Sequence, residues 1–186
     1  MDPPFPSPAS APSTPADDRG FYRSAPRVGL LGFLAPGAYE VWWLWQLFAF
    51  TRRERFPQAR AFWWILIPFY GLYVIYQQFD DLKKGLQALS SPIKFSAAGA
   101  ISLFIASVVA GSASNRGSGL VVLGFFVLSG VFFAAVAFTV QRAANAYQDV
   151  RYPGRQLRGM TTGEVIATVI GVIVFALAIL GSLAGG

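Results

Sequence analysis

The chain has 186 residues, of which 54% are hydrophobic and only 13% charged, and its 15 Lys and Arg against 9 Asp and Glu give a net charge of +6. Soluble domains carry charge at roughly a quarter of their positions, so this composition excludes an ordinary water-soluble globule and points to a bilayer. Cysteine and histidine are both absent, which removes disulfides, thiolate chemistry, the commonest general base and the commonest transition-metal ligand.

Taken in order, residues 1–27 hold seven of the 12 prolines together with serine and alanine. That composition predicts a disordered, partly polyproline-II tail. A basic region followed by an apolar one is missing, so the stretch reads as a tail and not as a secretory signal. Pro3 with Pro6, and Pro12 with Pro15, have PxxP spacing, although a plain spacer explains them equally well.

Five apolar segments follow, at 28–50, 61–78, 95–113, 120–140 and 164–183. Each approaches the ~20 residues that cross a hydrocarbon core of about 30 Å. The expected fold is all-α: a polytopic transmembrane bundle of about five hydrophobic helices over residues 28–186. The first two are broken by Pro36 with Gly37 and by Pro68 with Gly71.

Segments one and two gather all five tryptophans, Trp42, Trp43, Trp45, Trp63 and Trp64. Amphipathic rings concentrate at the headgroup level, so these are candidate interfacial anchors. The run GAYEVWW, the basic turn TRRERFPQAR and the closing YGLYVIYQQFDDLKKG resemble a family of small uncharacterised bacterial multi-pass membrane proteins. That family is marked by a Gly-x-Tyr-x-x-x-Trp-like motif, a charged turn and a second aromatic helix. The resemblance covers about residues 28–85; it implies a multi-pass membrane protein and supplies no catalytic residue.

Glu40 is the one acid deep in an apolar run, where a charge costs ~2.5 kcal/mol or more. It is a candidate intramembrane functional residue, a proton or cation site beside carbonyls freed at Pro36. The alternative is a neutral carboxyl hydrogen-bonded to a neighbouring helix. Asp80 and Asp81, next to Lys83 and Lys84, read as a solvated helix end.

Small residues recur at helical spacing in the later segments: Gly99, Ser102, Ala106, Ala110 and Ala113; then Gly130, Ala134 and Ala137; then Gly163, Ala167 and Gly171. Such faces permit close helix approach, which makes Gly99, Gly130, Ala134, Gly163, Ala167 and Gly171 candidate packing positions. Segment four runs on into QRAANAYQDVRYPG, whose amide stripe of Gln141, Asn145 and Gln148 is expected to be solvated. Thr161 and Glu164 have the spacing of a capping box at the start of segment five. Arg55-Phe56-Pro57 and Arg151-Tyr152-Pro153 form a faint internal echo of the kind that inverted repeats leave.

Lys and Arg set orientation. If all five segments cross, the tail with the second and fourth turns holds 10 of them, against 5 in the other turns. If segments one and two are re-entrant hairpins, the division becomes 14 against 1. Both arrangements place the N-terminus in the cytoplasm and the C-terminus outside, and five spans is the working assignment. The expected function is that of a multi-pass protein of the cell (inner) membrane acting as a scaffold or interaction protein. Its partners would be the bilayer and a second copy or another membrane protein. A transporter or channel component using Glu40 is the alternative, and a membrane-shaping hairpin protein a third reading. No cofactor, metal or enzymatic activity is expected. Nor is nucleic-acid binding, since no folded basic domain is apparent in the sequence.

Overall fold

The computed structural model describes residues 21–67, 69–114, 119–154 and 156–184. The proline-rich residues 1–20, Pro68, Arg116 and Arg155 lie outside the described residues. Among the described residues every regular element is helical: α1 (Ala25–Leu34), α2 (Ala38–Arg53), a 3-10 helix (Phe62–Leu66), α3 (Tyr70–Ala88), α4 (Ala97–Ser114), α5 (Gly119–Arg151) and α6 (Thr162–Ala184). Three of these, α4, α5 and α6, are long and apolar enough to cross a membrane.

The stretch expected to form the first span is two helices. A helix continuing through Pro36 would press the pyrrolidine ring against the carbonyl of Gly32. The chain instead turns at Gly37, whose φ of +81° suits a residue without a Cβ. At 1.5 Å per residue, α1 reaches only about 15 Å, half of a ~30 Å core. The second expected span is also divided, into the 3-10 helix and α3. The latter carries Gln77, Gln78, Asp80, Asp81, Lys83 and Lys84.

The chain separates into two compact units. Among the described residues, one comprises those within 21–24, 44–101 and 139–159, and the other those within 25–43, 102–138 and 160–184.

The first unit has an aromatic core. Phe21 stacks on Phe50 at 5.4 Å between centroids, and Phe56 meets Tyr147 edge-on at 5.1 Å. Gly85 fits under the Tyr147 ring, where a Cβ would lie 3.0 Å from Cε2. The amide stripe is not solvated, contrary to expectation: Gln141 and Gln148 are buried. Gln141 Nε2 donates to the Phe21 carbonyl at 2.6 Å and Asn145 Nδ2 to the Arg23 carbonyl at 2.6 Å. Residues 21–24 are non-helical, so their backbone groups need outside partners, and the amides provide them. Residues 21–27, expected to belong to the tail, are therefore placed, with Phe21 and Arg23 buried and Ala25 opening α1.

In the second unit, α1 lies against α5 through two glycines. A Cβ on Gly29 would come within 3.3 Å of the Ala134 carbonyl oxygen, and one on Gly32 within 3.0 Å of the Phe133 ring. Trp43 meets Phe133 edge-on at 5.8 Å. α4 is tied to α5 by Ser129 Oγ, which donates to the Ser107 carbonyl at 2.8 Å.

Candidate functional site

The tightest glycine position in the second unit joins the α1–α2 bend to α6. A Cβ on Gly171 would overlap that of Ala35 and stand 2.6 Å from its Cα and 2.8 Å from its carbonyl carbon. Two turns earlier on α6, a Cβ on Gly163 would sit 2.9 Å from Trp42 Nε1. Ala167, between them, is buried. Gly163 and Gly171 of α6 thus lie close against Trp42 and Ala35.

At the N-terminal end of α6 Glu164 is fully buried. The expected capping box is present, with the Glu164 amide donating to Thr161 Oγ1 at 3.2 Å and the Thr161 amide to Glu164 Oε2 at 3.4 Å. The sequence did not show that the same carboxylate also meets Arg27 Nε at 3.4 Å and accepts from the Tyr39 hydroxyl at 3.5 Å. One side chain therefore starts α6 and fastens it to α1 and α2, satisfying exposed amides and placing negative charge at a helix N-terminus.

The remaining packing candidates divide. A Cβ on Gly130 would lie 3.2 Å from the Phe33 ring, and the Ala134 carbonyl receives Gly29. Gly99 does not contact another helix: its nearest neighbour is Ser96, whose Oγ accepts from the Gly99 amide at 3.1 Å and so caps α4. The buried stripe of α4 runs through Phe104, Ser107, Ala110 and Ser114, rotated from the expected face, and Ser102 is exposed.

Glu40 occupies a different setting from the one its sequence position suggested. Because the helix restarts at Ala38, it stands in the first turn of α2 and accepts a hydrogen bond from the Gly37 backbone. A carboxylate there complements the helix dipole.

In the first unit two acids are buried. Glu54 is met by Arg151 Nε at 3.3 Å and by the Tyr152 hydroxyl at 3.2 Å. Asp81, expected to be solvated, is fully buried and accepts from the Gln58 amide at 2.9 Å, while its neighbour Asp80 pairs with Lys84 at 2.9 Å. The anchors divide too. Trp43 is buried in the packing against Phe133, Trp42 is half-buried, and Trp45, Trp63 and Trp64 are exposed.

Chemically, these carboxylates are joined to arginines, hydroxyls and backbone amides that fix helix ends. Among the described residues no group of three acids could hold a metal ion. No family model, curated protein or solved structure matches the chain.

Proposed function

We propose that this chain is a multi-pass scaffold protein of the cell (inner) membrane, crossing it three times through α4, α5 and α6. In this reading the N-terminus is cytoplasmic, and α1–α2 and the 3-10 helix with α3 form hairpins that do not cross. Three spans leave Arg116 outside and the other Lys and Arg inside, a division of 14 against 1 among the 15. Five spans would leave 10 against 5. The positive-inside tendency favours the first division.

The observation that carries the scaffold role is the outward surface of α6. Most of its length is unburied, and Val169, Ile173 and Leu177 are exposed along it. Such a surface requires lipid or another apolar protein surface, while the opposite side is fixed by the Glu164 and Gly171 contacts. A photo-crosslinking residue at Val169 or Ile173 in native membranes should yield a discrete protein adduct, with a second copy or another membrane protein. Adducts with lipid alone would refute the scaffold role.

Orientation is tested separately, and the lack of native cysteine makes single-cysteine labelling clean. With an impermeant maleimide on intact spheroplasts, Leu120→Cys should react, and Arg52→Cys should react only after lysis. Reaction of Arg52→Cys without lysis would restore five spans.

A further inference from the structure

The 3-10 helix and the first half of α3 present an outer surface of rings. Trp63 is 67% exposed and Phe69 88% exposed, and Tyr70, Tyr73 and Tyr76 are exposed at three-residue spacing along α3. The rings touch one another: Trp45 stacks on Phe62 at 6.1 Å and Phe62 meets Trp63 at 5.8 Å. Trp64 meets Tyr70 at 5.7 Å, and Tyr70 meets Tyr73 at 6.0 Å. Phe69 has a φ of +60°, a left-handed conformation that a bulky residue adopts only when its surroundings impose it.

Three polar side chains of α3 point the other way. Gln77, Gln78 and Asp81 are buried, with Thr51 Oγ1 donating to Gln78 Oε1 and Gln78 Nε2 donating to the Gln58 carbonyl at 3.3 Å. The buried face of α3 thus combines Val74, Ile75, Phe79, Leu82 and Leu86 with two amides and a carboxylate, while Tyr70, Tyr73 and Tyr76 face outward. The acids of residues 51–88 are all engaged: Glu54 with Arg151, Asp80 with Lys84, and Asp81 with the Gln58 amide. Four arginines of the preceding turn, Arg52, Arg53, Arg55 and Arg60, are exposed.

We infer that this surface lies in the headgroup layer of an anionic phospholipid leaflet, with the rings at the acyl boundary and the arginines on the phosphates. Trp and Tyr concentrate at that depth, where an apolar body and a polar edge are both accommodated. The adjoining arginines exclude the hydrocarbon centre and complement anionic lipid. The inference rests on the membrane reading and adds a lipid preference and a depth to it.

The full chain is reconstituted in vesicles of phosphatidylcholine containing one-third phosphatidylglycerol. An environment-sensitive fluorophore is attached at Phe69→Cys, Tyr73→Cys or Ile170→Cys in separate samples. The Phe69 and Tyr73 probes should be quenched most by lipids bearing a nitroxide near the headgroup, and the Ile170 probe by lipids bearing it near the chain end. Nitroxide-phosphatidylglycerol should quench the Phe69 probe more than nitroxide-phosphatidylcholine, and the preference should fall roughly fivefold for each of Arg52→Gln and Arg60→Gln. Quenching of the Phe69 and Tyr73 probes by aqueous iodide alone would show a water-facing surface and overturn the inference. Protection from both iodide and nitroxide would show a protein or second copy covering it, with the same consequence. Equal quenching by the two nitroxide lipids would remove the anionic preference. Loss of deep quenching at Ile170 would overturn the membrane reading itself, whereas failure at Phe69 and Tyr73 alone overturns only this inference.

Discussion

Gly171→Ala tests the contact with Ala35 by a single methyl group. On an open helix the change is favourable by about 1 kcal/mol, because alanine restricts the unfolded chain and glycine does not. At Gly171 the new methyl would meet Ala35 at its Cβ, at its Cα (2.6 Å) and at its carbonyl carbon (2.8 Å). Two of these are backbone atoms, which cannot rotate aside. Overpacking typically costs about 1–3 kcal/mol, and immobile neighbours place this site near the upper end. The net loss is then about 1–2 kcal/mol. For a chain of this size that lowers Tm by roughly 2–8 °C. Gly124→Ala and Gly181→Ala are the controls, since nothing lies within 4 Å of a Cβ at either position. Both should leave Tm unchanged or raise it slightly. Melting is followed in detergent by intrinsic fluorescence, with gel filtration to check size, and Gly171→Leu should be more damaging than Gly171→Ala. If Gly171→Ala melts with the two controls, the close approach to Ala35 is wrong.

Glu164→Gln keeps the capping geometry and loses only the charge toward a partly exposed Arg27, so it should cost less than about 1 kcal/mol. Glu164→Ala should cost about 1 kcal/mol more, and equal melting of the two variants would show that the cap contributes nothing. Glu54→Ala strips the carboxylate from Arg151, whose side chain is only 7% exposed, and should destabilise by about 3 kcal/mol. The double change Glu54→Met with Arg151→Met should recover much of that loss, and a double variant worse than the single one would count against the pair. Glu40→Gln keeps the acceptor and loses the charge at the start of α2, so it should cost less than about 1 kcal/mol and leave topology unchanged. Loss of pH-dependent ion flux in reconstituted vesicles with the fold intact would instead support the transporter reading.

The later helices were legible because nothing in them competes with helical hydrophobicity. Segments 95–113, 120–140 and 164–183 anticipate three membrane-length helices, α4 (Ala97–Ser114), α5 (Gly119–Arg151) and α6 (Thr162–Ala184). The capping box was legible too, since it depends on two side chains three residues apart. The early chain was legible only in part, since a break at Pro36 with Gly37 was expected but two separate helices, α1 and α2, were not. Its hydrophobicity is continuous through Pro36, and hydropathy alone does not show that the helix restarts there. That restart changes Glu40 from a mid-helix acid into a first-turn acid. The amide stripe was misread for a different reason. Gln141 Nε2 does donate to Asn145 Oδ1 one turn on, at 2.9 Å, but the partners that bury the stripe are backbone carbonyls of residues 21 and 23, more than a hundred residues away. Gly99 shows the limit of small-residue spacing, since a glycine at the right interval can serve a local serine cap.

Helices in a bilayer lack a hydrophobic force drawing them together and rely on close approach and polar contacts. In the second unit both devices act on the same pair of elements. Ala35 and Gly171 bring backbones together, and seven residues earlier on α6, about 10.5 Å along its axis, Glu164 joins Arg27 and Tyr39. The bend at Pro36 and Gly37 is what lets α1 supply Arg27 while the start of α2 supplies Tyr39 to the same carboxylate. Glu164 also caps its own helix, so the side chain that starts α6 is the one that ties it to α1 and α2.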